Sequence, residues 1–341
     1  MTWCWQRKYA NPRFYLPDAN LLGAPPKPSW LMKCFDRPTG GHMWDEMVRV
    51  FGQSLEQLRH SLHFFPGTAV LSGAPYMFRA ATMLAVLGVV GGIVGVLVNL
   101  RSAEFHAEAT VHGIFPGIVV GSLWGGVDAI IPGAAIAAIA VVVALSIISR
   151  HHNTESGTAI ILTSFYALGM VISLRHKDMS GQLEALMFGR LLDINDERLF
   201  QAVLVCLLAV VIVVVSWRQQ IFFAFDRWGA QSAGLHAAVI DSLRNTAIAA
   251  VVVAASSAIG VLLVIGYIII PGAAARLMCS TVATMVLGSV TLGVLGGWLG
   301  LGLMSLHLSH PISPQASVAL SLCLLYAVVY FFHRLKQEVI T

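Results

Sequence analysis

Residues 104–121 read EFHAEATVHGIFPGIVVG. Two acids and two histidines open the stretch, which then runs without a break into an apolar helical pattern. An ionisable side chain inside a span is costly unless it faces a polar cavity or a partner, so it marks a functional site. Glu108 and His112 stand four residues apart and share one face of a helix. Counted from Arg101, they lie about 10–17 Å along the helix axis. A carboxylate and a neutral imidazole are ligands for manganese, iron(II) and zinc. The plainer alternative is that the two pair with each other or with a neighbouring helix. His106 stands nearer the water and is a candidate accessory ligand. Glu104 reads as a solvated interfacial acid, and Thr110 does not share the face. Pro116 and Gly117 follow one turn later, where they weaken the helix ladder and permit a bend or a close packing contact.

Outward from this stretch, the composition supplies the membrane. Of 341 residues, 57% are hydrophobic and 11% charged, against about 25% charged in soluble domains. A net charge of +4, with no basic stripe interleaved with aromatics, excludes nucleic acid as the expected partner. Cys4, Cys34, Cys206, Cys279 and Cys323 are scattered singly, so no zinc knuckle or redox pair is written here.

The expected fold is an all-α polytopic membrane protein with about nine spans, each a predominantly apolar run of ~18 residues or more. They cover 77–100, 106–124, 129–149, 157–174, 199–215, 237–256, 257–275, 281–301 and 314–332. The uncharged stretch 245–275 would be about 46 Å as one helix, too long for one crossing of a ~30 Å core. Ser256, Ser257 and Gly260 are the expected break. With Arg334 and Lys336 placed inside, the inside loops also hold Arg276, segment 217–227, segment 150–152 and Arg101. Asp128, segment 175–198, His307 and His310 fall outside, as the positive-inside rule favours. The C-terminus is then cytoplasmic in a multi-pass protein of the cell membrane, embedded in lipid.

Three divisions are expected. Residues 76–333 form the permease-like transmembrane domain and 334–341 a cytoplasmic tail. Residues 1–75 form an N-terminal extension with an amphipathic helix near 43–65. Two readings of the extension stay open: translation starting at Met43, or a tail or weakly hydrophobic extra pass.

The stretch AEATVHGIFPGIVVG resembles the motif of permease subunits of bacterial ABC importers for manganese, zinc and iron, which runs Gly-Asp-Ala-x-x-His-Ala-x-x-Pro-Gly. Other similar blocks occur in order, among them ESGTAIILTSFYALGMVIS, EALMFGRLL, FDRWGAQSAGL and AIGVLLVIGYIIIPGAAARLM. The resemblance covers about residues 75–332. It departs where Ala107 and Glu108 replace the glycine and aspartate. Glutamate keeps the charge and reaches one methylene further, so metal preference stays open.

The resemblance implies a type II ABC importer permease bundle in which Glu108 and His112 line the metal pathway and two permease chains enclose one path. It implies that Phe225, Asp226, Ala230, Gly234 and Leu235 belong to the segment that docks on an ATP-binding subunit. It also implies an extracytoplasmic metal-binding protein, to which His307 and His310 are candidate accessory ligands. Mn2+, Zn2+ or Fe2+ would be cargo rather than a resident cofactor. No G-x-x-x-x-G-K-[ST] phosphate loop is present, so the chain is not expected to be an enzyme and its energy must come from elsewhere. The rival reading is a proton-coupled secondary metal carrier using Glu108.

Overall fold

The computed structural model describes residues 41–62, 69–148, 154–175, 189–305 and 313–340. Residues 1–43 form one unit, of which only the first residues of a helix are described, and Trp44–Thr341 form the other. Among the described residues all regular structure is helical. That is the solution a chain in lipid requires, since a helix satisfies its backbone groups internally.

In chain order the helices are α1 (Gly41–Leu62), α2 (Ala69–Ser72), α3 (Pro75–Leu100), α4 (Glu104–Gly113), α5 (Phe115–Gly125), α6 (Ile130–Ile148), α7 (Thr154–Arg175), α8 (Asp196–Phe225), α9 (Arg227–Ser232), α10 (Ala237–Ile259), α11 (Val261–Met278), α12 (Val282–Ser305) and α13 (Pro314–Ile340). Seven of these (α3, α6, α7, α8, α10, α12 and α13) are long and apolar enough to cross a membrane. The two remaining expected spans take other forms. One is broken into α4 and α5, and the other is the shorter apolar helix α11.

Local chemistry sets the boundaries. Pro75 opens α3, where its missing N–H costs nothing. The Asn195 side chain accepts from the Arg198 N–H at 2.9 Å and caps α8, with Asp196 and Glu197 in the first turn. The expected break in 245–275 falls at Gly260, whose φ of 77° suits glycine and separates α10 from α11.

Two helices outrun their expected spans. α8 has 30 residues and continues to Phe225, so most of the inside segment expected at 217–227 is helical. α13 continues through the expected tail to Ile340. There Arg334, Leu335, Lys336, Gln337 and Glu338 are good helix formers, and Arg334 Nε donates to the Tyr330 hydroxyl one turn back at 3.1 Å.

α3 lies at the centre, packed against α8, α10, α11 and α12. Its crossing with α12 is close because Gly88 and Gly92 carry no side chain there. A Cβ on either would press into the α12 backbone at Val294 and Val290. The amphipathic helix expected near 43–65 is α1. Trp44 and Phe51 meet Phe200 of α8, with ring centroids 5.2 and 5.3 Å apart. Met47, Val50 and Leu58 stay exposed. On the same helix, the Arg59 guanidinium bonded to Glu56 holds that carboxyl below the usual carboxylate range.

Candidate metal pathway

The pathway stretch is helical up to Gly113 and resumes at Phe115. The interruption follows from Pro116, which brings no N–H to the His112 carbonyl four residues earlier. The ladder is picked up again by Gly117 N–H and Ile118 N–H, both bonded to the Ile114 carbonyl, at 3.0 and 3.2 Å. Gly117 serves a close crossing. A Cβ there would collide with the Gly133 carbonyl and Ala137 of α6.

Glu108 and His112 are both half-buried, while Ala107 before them and Ala109, Thr110 and Val111 between them are buried. One face of α4 is thus left open, and it is the face that carries the acid and the imidazole. The His112 ring rests edge-on against Tyr166 of α7, which also touches Phe115. The Glu108 carboxylate makes no hydrogen bond or ion pair with another described residue. No group of three or more His, Cys, Asp and Glu that could hold a metal occurs among the described residues. On this face the chain carries two side chains of ligand type, the Glu108 carboxylate and the His112 imidazole.

His106 is not part of that face. At about 100° per residue it points about 160° away from Glu108 and 120° from His112. Its Nδ1 is buried without a hydrogen-bond partner among the described residues, and the charges acting on it are Arg244, Asp241 and Arg101. His307, His310 and residues 176–188 lie outside the described residues.

The segment expected to dock on an ATPase is the short helix α9. The Asp226 side chain accepts from the Gly229 N–H at 2.8 Å and starts it. Leu235 N–H to the Ala230 carbonyl and Gly234 N–H to the Gln231 carbonyl, both 3.0 Å, end it, with Gly234 at φ 88°. The resemblance puts Ala230 and Gly234 in this docking segment. The geometry assigns them other work. Ala230 is fully buried against Phe223 and Ile240, with Leu235 packed beside them. Gly234 is needed for its backbone angle, and a Cβ there would meet nothing within 4 Å. What α9 presents outward is Trp228, 81% exposed, next to Phe225, 70% exposed.

Sequence reasoning passed over Trp228, Tyr166, and the charged pair Asp241 and Arg244. The last had a readable signal, since two charges three residues apart interrupt an otherwise apolar span.

Residues 74–333, from the start of α3 into α13, match the model of the ABC 3 transport family. A manganese transport system membrane protein, MntC, of Halalkalibacterium halodurans is 26% identical over 268 residues, 78% of this chain and 90% of its own. A chelated iron transport system membrane protein, YfeD, of Yersinia pestis is 27% identical over 258 residues, 75% of this chain and 86% of its own. The solved structure of PsaBC from Streptococcus pneumoniae in complex with Fab shares the fold. Its TM-score is 0.66 at 22% identity, over 80% of this chain and 93% of that one. The chain, a multi-pass membrane protein with an acid and an imidazole at the break in a span, therefore belongs to the ABC 3 transport family of metal-ion importer permeases.

Proposed function

We propose that two permease chains enclose one path for a divalent transition metal ion, and that Glu108 and His112 of each chain are its ligands. The observation that carries this is the Glu108 carboxylate. It is half-buried, makes no hydrogen bond or ion pair among the described residues, and shares an open face with His112 beside the Pro116 break. Two chains would bring two carboxylates and two imidazoles, although one ion need not take all four. Oxygen and nitrogen donors without thiolate suit manganese or iron(II). The names of the relatives support the same two metals, with zinc the third candidate. The site should hold its ion loosely, because a transported ion must leave.

Transport is driven by a separate ATP-binding subunit that docks on α9, with Trp228 and Phe225 as the apolar contact. An extracytoplasmic metal-binding protein delivers the ion at the other side. The C-terminus is cytoplasmic, in keeping with Arg334 and Lys336 on the last helix.

The test is metal uptake by cells carrying Glu108→Ala or His112→Ala. Uptake should be lost while both variants still insert in the membrane. Wild-type uptake in both would sink the pathway assignment. Uptake that survives without ATP but collapses with the proton gradient would favour the secondary carrier.

A further inference from the structure

A buried charge cluster is formed by Arg101, at the end of α3, and by Asp241 and Arg244 of α10, which packs on α4. Arg101, just past the end of α3, donates to Asp241 Oδ1 of α10 at 2.6 Å and to Gln220 Oε1 of α8 at 3.0 Å. Gln220 in turn donates to the Ile240 carbonyl at 2.9 Å. Arg244 stands 3.5 Å from the same Asp241 oxygen and donates to Asn245 Oδ1 at 3.1 Å. The side chains of Arg101, Asp241 and Arg244 are 7%, 9% and 6% exposed. Buried charges of this kind add little stability over apolar residues of the same size, and their best-attested use is to fix a register.

The cluster reaches α9 through one ring. The Arg101 guanidinium lies 4.9 Å from the centroid of Phe223, and that of Arg227, the first residue of α9, lies 5.7 Å from the same ring. Phe223 is itself buried against Ala230 of α9 and Ile240 of α10. On the other side of Arg101 only Ser102 and Ala103 separate it from α4. That connection has no slack. Ser102 takes a left-handed backbone at φ 46°, and the Ala103 N–H is bonded back to the Val98 carbonyl at 2.9 Å. Contacts thus run without a gap from Arg227 through Phe223 and Arg101 to the helix that carries Glu108 and His112.

We propose that Arg101, held by Asp241 and by the Phe223 ring, is the positioning residue that passes a displacement of α9 to α4. The state of whatever docks on α9 would then be felt at the metal-facing side chains. This rests on the proposed function above, and it assigns a role in transport to residues that never touch the ion.

The full chain, assembled in proteoliposomes with its ATPase subunit and binding protein, provides the test. The reading is the ratio of ATP hydrolysis with and without manganese-loaded binding protein, taken beside manganese uptake. Phe223→Leu keeps the apolar packing and removes the ring, and Arg227→Gln removes the guanidinium that lies against it. In both, the complex should assemble with basal hydrolysis unchanged, and the ratio should fall about fivefold or more, the usual range for coupling between sites. Phe223→Tyr and Arg227→Lys should restore it. A merely structural role would lower the melting temperature of Phe223→Leu and leave the ratio alone. An unchanged ratio in either assembled ring-contact variant, Phe223→Leu or Arg227→Gln, overturns the link. Glu108→Ala in the same vesicles keeps the two ideas apart, since normal uptake there would overturn the pathway reading whatever the ratio shows.

Discussion

The ring of His112 meets the ring of Tyr166 edge-on, with centroids 5.4 Å apart and planes at 79°. This contact fixes an imidazole that otherwise stands on an open face of α4. An edge-to-face pair contributes about 0.5–1.5 kcal/mol beyond its burial. Tyr166→Phe keeps the ring and should leave manganese uptake near wild type. Tyr166→Ala releases the imidazole and should raise the half-saturating manganese concentration by roughly 2–10-fold, the same energy expressed as an affinity. A saturation curve of uptake for the two variants checks this.

Pro116 leaves the His112 carbonyl without its helical donor. Pro116→Ala supplies that N–H and allows α4 to run on into α5. The protein should melt at the same or a higher temperature while uptake falls, because stiffening removes the break the path uses. A thermal scan beside an uptake assay reads both. Loss of stability together with uptake would assign the proline to packing instead.

On α9 the exposed and enclosed residues should behave oppositely. Trp228→Ala removes an 81% exposed side chain and should not alter the melting temperature of the chain. If Trp228 anchors the ATPase, co-purification should weaken strongly, since aromatic anchors commonly cost ~2 kcal/mol or more on truncation. Ala230→Leu should instead destabilise the chain by about 1–3 kcal/mol, because it overfills the contact with Phe223 and Ile240.

The N-terminal helix gives a truncation series. A chain beginning at Met43 keeps Trp44 and Phe51 against Phe200, and should transport and melt as the full chain does. A chain beginning at Ala69 loses both aromatic contacts and the buried Leu55. Its melting temperature should drop by several degrees, as about 2–4 °C per kcal/mol is usual for a chain of this size. Equal melting of the two truncations would mean that α1 adds nothing to the bundle.

Much of this architecture is written locally. Apolar runs give the spans, Gly260 ends one helix because only glycine takes its backbone angle readily, and the four-residue spacing puts Glu108 and His112 on one face. The Pro116 break is equally local. What escaped depends on partners far along the chain. Asp241 interrupts a span visibly, but its partner Arg101 lies 140 residues earlier, and no periodicity pairs them. Ala230 could face a partner or the core. Its small size fits both, and only the position of Phe223 decides. The reach of α8 was underestimated because Trp217, Arg218 and the glutamines after them are polar enough to read as a loop, although they are compatible with a helix.

Glu108 and His112 are proposed to hold the ion. The direct test is manganese binding to the purified permease, followed through the loss of the free-ion signal in electron paramagnetic resonance. Glu108→Gln keeps the size and shape of the side chain, removes its charge and replaces one acceptor oxygen with an NH2 donor. Binding to the wild type should be saturable, and at least about tenfold weaker in Glu108→Gln and in His112→Ala, the loss of ~1.4 kcal/mol or more expected when a ligand is removed. Glu108→Asp, which keeps a carboxylate, should bind measurably. Equal manganese binding by the wild type and Glu108→Gln would contradict the account.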